Sequence, residues 1–268
     1  MAGDLMKTDT IRVNGFEMEY FTFGAGKRPF VILPGVSVKS VMLSAKAVEA
    51  AYRMFGDTYT VYVFDRRKEM PDPYPVRQMA QDTAAAMRQR GIADADIFGA
   101  SQGGMMAMCL AIDHPDLVHK IALGSTACRS DDKVIAGTRR WVALAESGDR
   151  AALTAELIDC LYSENTIGKY RELLMHRNDD LSDMDLTRFI IQTEAIDDFD
   201  IAEELDRIKC PVLVIGVEGD KVLYCRHSCY IADRLGCQLY VYGSEYGHCV
   251  FDEAPDYKQR LLDFFQEK

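Results

Sequence analysis

The stretch Gly99-Ala100-Ser101-Gln102-Gly103 decides the fold of this chain. An apolar run that predicts a strand, Ala95–Phe98, precedes it, and a run that predicts a helix, Gly104–Ala111, follows it. A serine in so tight a turn has a strained backbone, and Gly99 and Gly103 leave the space that side chains would fill. The pattern is G-x-S-x-G, which lifts a serine hydroxyl clear of the sheet, in front of a helix N-terminus that favours negative charge.

Strands and helices alternate on both sides of this turn. Asn14-Gly15 predicts a hairpin between two alternating runs within Ile11–Tyr20. Buried strands are predicted at Phe30–Leu33 and Val118–Leu123, and further strands are predicted at Thr60–Phe64, Pro211–Gly216 and Gln238–Tyr242. Further helices are predicted at Ser40–Phe55, Val76–Arg90, Tyr224–Leu235 and Pro255–Phe265. This alternation, with strands that are apolar throughout, predicts an α/β fold with a mostly parallel sheet and helices on both faces.

The alternation stops between Asp131 and Asp206, where helical patterns replace strands. Helices are predicted at Val134–Glu146, Arg150–Tyr162, Ile167–His176 and Asp185–Ala195. An insertion after the sixth strand, at the carboxyl end of the sheet, lies over the place where open α/β sheets bind ligands. We therefore expect a core formed by residues 1–130 and 207–268, and a helical cap formed by residues 131–206.

The chain is acidic, with 31 Lys and Arg against 42 Asp and Glu and a formal net charge of −11. No basic run is visible, which argues against nucleic acid and anionic membranes as partners. The segment Met1–Thr10 lacks the apolar core of a signal peptide, and no apolar run approaches the ~20 residues of a membrane helix. We therefore expect a cytoplasmic protein that acts on a small molecule; composition leaves its oligomeric state open.

The eight cysteines do not predict a disulfide framework, because such frameworks belong to short secreted chains and this one has 268 residues. Most lie within apolar patterns, where a thiol serves as a small hydrophobic group. The run Cys225-Arg226-His227-Ser228-Cys229 lacks the paired C-x-x-C knuckles of zinc sites. We expect neither a metal ion nor a cofactor.

A serine hydroxyl needs a base to become a nucleophile, and the base needs a group that orients it. His248 follows the last predicted strand and precedes the last helix, where a loop can reach over the sheet edge. The other histidines lie at the far end of a helix, at the opposite pole of the sheet, in the insertion, or on a helix: His114, His119, His176 and His227. We predict that His248 is the base.

The orienting acid is expected at the end of a late strand, before the histidine. Asp220, in the loop after Pro211–Gly216, is the favoured candidate. Glu218 competes from the same loop, and Asp131 and Asp132 are a more distant option. The carboxylate would fix the imidazole tautomer and stabilise the imidazolium that forms. The residues alone leave the choice between Asp220 and Glu218 open.

The chain order Ser101, Asp220, His248 resembles that of the α/β-hydrolase family. Beside the serine turn, Val214–Asp220 is similar to the family's acid loop, and Gly247–Asp256 is similar to its histidine loop and the start of its last helix. The resemblance extends over nearly the whole chain. It implies an α/β-hydrolase fold with a mostly parallel sheet.

The resemblance also implies an oxyanion hole formed by the backbone N–H groups of Val36 and Gln102. Where the family carries His-Gly after the third strand, this chain has Pro34-Gly35. The backbone donor survives this change, but a histidine side chain that often braces the loop is lost.

A serine stands where dehalogenases and epoxide hydrolases of this fold carry an aspartate, which implies acyl transfer to water through an acyl-enzyme. We predict a serine hydrolase of a small or medium carboxylic ester. A C–C bond hydrolase, a thioesterase, a perhydrolase and an acyltransferase are alternatives on the same triad, and a non-catalytic relative that binds a small ligand is another. Trp141, the single tryptophan, is a candidate for lining the acyl pocket, although an aromatic at helical spacing more often serves packing.

Overall fold

An eight-stranded sheet forms the centre of the computed structural model, which describes residues 6–267. The strands are β1 (Lys7–Val13), β2 (Phe16–Phe23), β3 (Arg28–Leu33), β4 (Tyr59–Arg67), β5 (Ala95–Ala100), β6 (Val118–Gly124), β7 (Val212–Val217) and β8 (Gln238–Tyr242). Their order is β1-β2-β4-β3-β5-β6-β7-β8; β2 is antiparallel to β1 and β4, and the other pairs are parallel. The expected mostly parallel sheet is confirmed. The beginning of the segment examined for a signal peptide, residues 1–5, lies outside the described residues.

Helices cover both faces of the sheet. They are α1 (Ala45–Ala51), α2 (Val76–Gln89), α3 (Gln102–Asp113), α4 (Asp132–Glu146), α5 (Arg150–Leu161), α6 (Glu164–His176), α7 (Asp183–Glu194), α8 (Tyr224–Leu235), α9 (Val250–Glu253) and α10 (Tyr257–Gln266). Val31 and Ile97 share a core with α2 and α3, whereas the next residues in the strands, Ile32 and Phe98, face α1 and α10. The central strands β5 and β7 are buried on both faces, which explains why they are mostly apolar, whereas the edge strands β1 and β8 are largely exposed or half-buried. No helix within residues 6–267 has the length and apolarity needed to cross a bilayer.

Four helices, α4 to α7, lie between β6 and β7, as the helical patterns predicted. Three of them, α4, α5 and α7, share a small core with the loop after β3, formed by residues that include Val38, Trp141, Leu157 and Phe189. Helix α6 contributes no buried residue and forms an outer edge of this insertion. The division into a core and a cap at residues 131 and 206 stays a prediction.

The prediction of one continuous helix over Ser40–Phe55 is wrong. The structure has a 3-10 helix at Val41–Ser44, then α1, then a second 3-10 helix at Arg53–Phe55. Tyr52 leaves helical geometry (φ −105°, ψ 15°) and packs its ring near that of Phe30. Aromatic packing against the sheet therefore overrides the local helical spacing.

The expected last helix, Pro255–Phe265, begins too early. Proline disfavours the helical region for the residue before it, and Ala254 is extended (φ −82°, ψ 123°). The chain therefore forms the short helix α9 directly after His248 and starts α10 only at Tyr257.

Candidate active site

Ser101 lies in the turn between β5 and α3 with φ +54° and ψ −124°, a backbone conformation that residues other than glycine rarely adopt. A Cβ atom on Gly103 would lie 1.9 Å from the Leu33 carbonyl oxygen, and one on Gly99 would lie 2.3 Å from the Gly103 carbonyl oxygen. The Ser101 N–H donates to the Gly124 carbonyl at 2.9 Å, which ties the turn to β6. The steric reason for glycine at both flanking positions is therefore present in the structure.

His248 and Asp220 form a buried pair at the same edge of the sheet. The His248 Nδ1 atom lies 2.9 Å from each Asp220 carboxylate oxygen. The N–H groups of Val222 (2.8 Å) and Leu223 (3.0 Å) donate to the carboxylate from its other side. Burial acts to raise the pKa of Asp220, but the neighbouring imidazole and these donors outweigh burial and lower it. When Nδ1–H donates to the carboxylate, Nε2 keeps its lone pair and can accept a proton.

The structure also separates the competing acids. Glu218 is exposed, so Asp220 and not Glu218 meets His248. Asp131 lies elsewhere, at the start of α4, where its carboxylate is 3.1 Å from the ring of His227.

Ser101 and His248 line one cavity of about 440 Å³. Its walls come from the loop after β3, from the insertion and from the loop that carries His248. Trp141 lies in the wall and is 6% exposed, so it serves both the cavity and the core of the insertion. Among residues 6–267 the Ser101 hydroxyl makes no hydrogen bond of 3.5 Å or less.

The two predicted oxyanion donors lie on segments beside Ser101. Gly35 packs against the serine, since a Cβ atom there would lie 3.5 Å from Ser101 Oγ. Val36 follows directly, and its N–H donates no backbone hydrogen bond in the part of the chain that the structure describes. Gln102 is the first residue of α3, so its N–H has no partner within the helix. Their role as an oxyanion hole stays a prediction.

Arg66, near the end of β4, braces this loop. Its Nη2 atom donates to the Pro34 carbonyl at 2.8 Å and to the side-chain oxygen of Gln102 at 2.9 Å. The side-chain amide of Gln102 donates to the Gln192 carbonyl on α7 at 2.5 Å, and the Gln192 amide donates to the Ser37 carbonyl at 3.3 Å. One hydrogen-bond network therefore holds the loop after β3 at Pro34 and at Ser37. We call this network the Arg66 clamp (Arg66, Gln102 and Gln192).

Sequence reasoning missed Arg66. It is 2% exposed, and burial lowers the pKa of its guanidinium while the adjacent Asp65 charge opposes that shift. In the sequence it is one of two neighbouring arginines after a strand, and the other, Arg67, pairs with Asp82 instead. Nothing local distinguishes the two. The Arg66 clamp holds the loop after β3 at Pro34, the position where the family resemblance implied a histidine.

Comparisons with known proteins agree with this architecture. The sequence profile described as the alpha/beta hydrolase family matches residues 30–257. The chain is 27% identical over 235 residues to 3-oxoadipate enol-lactonase 2 of Acinetobacter baylyi, covering 85% of each chain. Its structure is similar to that of an alpha/beta hydrolase enzyme from a Medee basin deep-sea metagenome library (TM-score 0.87, 20% identity, 97% and 98% of the two chains). It is also similar to the enol-lactonase from Burkholderia xenovorans LB400 (TM-score 0.82, 23% identity, 97% and 100%). The expected fold is confirmed, and the chain belongs to the alpha/beta hydrolase family.

Proposed function

We propose that this chain is a serine hydrolase that cleaves a small or medium carboxylic ester through an acyl-enzyme. One observation carries the proposal: His248, paired with the buried Asp220 at 2.9 Å, lines the same cavity as the strained Ser101. The relative from Acinetobacter baylyi is named a lactonase, and a lactone is a cyclic ester. That name supports the ester bond as the bond that is cleaved.

In the proposed reaction, Ser101 Oγ attacks the ester carbonyl carbon while His248 Nε2 takes the hydroxyl proton. The tetrahedral intermediate expels the alcohol, which leaves with the proton from His248, and the acyl group stays on Ser101. A water molecule then attacks the acyl-enzyme with His248 again as base, which releases the carboxylic acid and restores the serine. Asp220 keeps the ring in the tautomer that both steps need.

The N–H groups of Val36 and Gln102 stabilise the negative oxygen of both intermediates in this proposal. The loss of one such donor typically costs ~2.7–4 kcal/mol of transition-state stabilisation. The Arg66 clamp fixes the segments that carry the two donors, so they are in place before the charge develops.

The cavity favours a substrate of modest size. Its volume of about 440 Å³ lies toward the lower end of small-molecule sites. Trp141, Leu157 and Phe189 belong both to its apolar wall and to the core of the insertion. We propose that the insertion acts as a cap in this way and limits the length of the acyl chain.

A panel of substrates tests the proposal, run on the wild type and on Ser101→Ala. It contains p-nitrophenyl esters from acetate to decanoate, a lactone, a thioester and an anilide. We expect turnover of short and medium esters by the wild type and none by Ser101→Ala. Turnover of the thioester alone would move the assignment to a thioesterase. No turnover of any substrate would contradict the proposal and favour a ligand-binding protein.

A further inference from the structure

The lining of the cavity has a charge opposite to that of the protein. The chain carries 42 acidic against 31 basic residues, yet none of the residues in the described lining is Asp or Glu. Apart from His248, the charged side chains in the lining are Lys39 and Arg177. A cavity of this kind is electrostatically suited to a negatively charged ligand.

The two cations differ in how far their charges are balanced. Lys39 Nζ pairs with the Asp180 carboxylate and donates to the Arg177 carbonyl at 2.6 Å. Lys39 is thereby neutralised, and it fastens the chain at the end of α6 to the loop after β3. Arg177 makes no salt bridge to any residue between 6 and 267. Arg177 is an exposed residue at the rim of the cavity, and its positive charge is open to a ligand.

The Arg177 side chain lies near two other residues of the cavity lining, Tyr162 at the end of α5 and Cys249 in the His248 loop. Burial raises the pKa of Tyr162 and of Cys249, and in both cases the positive charge of Arg177 opposes the rise. Both residues belong to the cavity wall, and Cys249 directly follows His248. Its main chain is tied to the insertion by a 2.8 Å bond from the Cys249 N–H to the Leu161 carbonyl.

Two acidic residues lie in a groove beside Arg177. Asp252 and Glu253 line an adjoining groove that also reaches Arg177. Glu253 is occupied: it accepts from the N–H and hydroxyl of Ser163 (2.9 and 2.7 Å) and from the Gly247 N–H (2.7 Å). Burial raises the pKa of Asp252, and the nearby charges of Lys258 and Arg177 both oppose this rise. Within residues 6–267, neither carboxylate forms a salt bridge with Arg177.

We propose, on the basis of the proposed function, that the substrate is an ester that also carries a carboxylate, and that Arg177 binds this carboxylate. The planar guanidinium matches a carboxylate with two parallel hydrogen bonds. A single unbalanced cation fits a singly charged carboxylate better than a dianionic phosphate. The apolar wall around Trp141 then holds the short chain between the carboxylate and the ester carbonyl.

Binding is measured first, without turnover, in a Ser101→Ala background. The probes are mono-4-nitrophenyl glutarate and 4-nitrophenyl valerate, which differ mainly in replacing a terminal methyl by a carboxylate. We expect the charged ester to bind Ser101→Ala at least tenfold more tightly, and we expect Ser101→Ala/Arg177→Gln to lose most of this preference. The control is Ser101→Ala/Arg88→Gln, which removes an equivalent charge from α2, outside the cavity. The control should keep the preference.

Equal binding of both esters by Ser101→Ala, or an equal preference in the Arg177→Gln variant, would overturn the carboxylate assignment. Turnover in the wild-type background answers a separate question. If the wild type hydrolyses both esters without preferring the charged one, the proposed function stands and the carboxylate assignment fails. If no ester is hydrolysed but Arg177 still selects the charged ester in the binding assay, the proposed function fails and the anion site stands.

Discussion

The buried Arg66 guanidinium donates a hydrogen bond to the side-chain oxygen of Gln102, 2.9 Å away. Gln102 is the residue after the serine, and its N–H is one of the two proposed oxyanion donors. Because the same Arg66 nitrogen also holds the Pro34 carbonyl, one side chain connects the two donor segments. The cation that connects them is not among the described residues that line the cavity.

The first prediction concerns Arg66→Met, which keeps an apolar stem and removes the donors. We expect kcat for ester hydrolysis to fall by roughly 10²-fold with little change in KM, because misplacement by about 1 Å suffices for such a loss. The affinity of a boronic acid that forms a tetrahedral adduct on Ser101 should fall in parallel. Kinetics and inhibitor titration on the folded variant measure both effects.

Arg67→Met is the matched control for this variant. Arg67 is the next residue, and its guanidinium pairs with Asp82 (2.6 Å) rather than with the loop after β3. Both variants should lose stability, since each leaves buried polar partners unpaired. A loss of kcat equal in both variants would show that Arg66 acts only through stability.

The second prediction separates the two candidate acids. Asp220→Asn keeps the shape of the side chain but should lower kcat by about 10³- to 10⁴-fold, because the amide favours the wrong histidine tautomer. Glu218→Gln should leave kcat within about twofold, since Glu218 is exposed and Asp220 faces His248. Steady-state kinetics on both variants decides the assignment; a larger effect from Glu218→Gln would reverse it.

The sequence predicted most of the fold because its local signals agree with the tertiary structure. Asn14 and Gly15 both have positive φ in the hairpin, as an Asn-Gly turn requires. Helix α8 and strand β8 have the predicted bounds. The helix Ser40–Phe55 was wrong because Tyr52 is placed by ring packing, which helical periodicity does not encode.

The candidate site was likewise predicted only in part from the sequence. Ser101 and His248 are marked by their positions after strands, and the structure brings both to one cavity. The choice of Asp220 over Glu218 depends on burial at the end of β7, which two residues of the same charge do not reveal in sequence. Arg66 could not be predicted, because its partners are 32 and 36 positions away.

The third prediction concerns the size of the cavity. Trp141→Phe removes part of the wall while keeping an aromatic in the core of the insertion. We expect the preferred p-nitrophenyl ester to become longer by about two carbons, and we expect a stability loss of about 1–3 kcal/mol. Rates across the series from acetate to decanoate measure the shift. An unchanged chain-length profile would mean that Trp141 serves packing alone.

The fourth prediction concerns the link between α8 and the insertion. Burial acts to raise the pKa of Asp131, but the Arg226 hydrogen bond and the Val134 N–H outweigh it and lower the pKa from 3.8 to about 2. The folded pKa lies below the unfolded one, so this stabilisation is present above pH ~4 and is lost as pH falls towards ~2.

Asp131→Asn keeps the helix cap and removes the charge. We expect it to lower the free energy of unfolding at pH 7 by roughly 1 kcal/mol, a value reduced for solvent screening of this partly exposed carboxylate. The difference from wild type should shrink in urea titrations as pH is lowered below 4. Asp132→Asn, at the exposed next position, is the control. A difference that is constant with pH would refute the electrostatic origin.

Covalent labelling of Ser101 by a fluorophosphonate tests the proposed nucleophile most directly. The wild type should gain one adduct, and peptide mass spectrometry should place it on Ser101. The Ser101→Ala variant should gain none, and His248→Ala should react at least a hundredfold more slowly while remaining folded. A wild-type protein that stays unlabelled, or one that is labelled equally fast without His248, would contradict the proposed serine hydrolase.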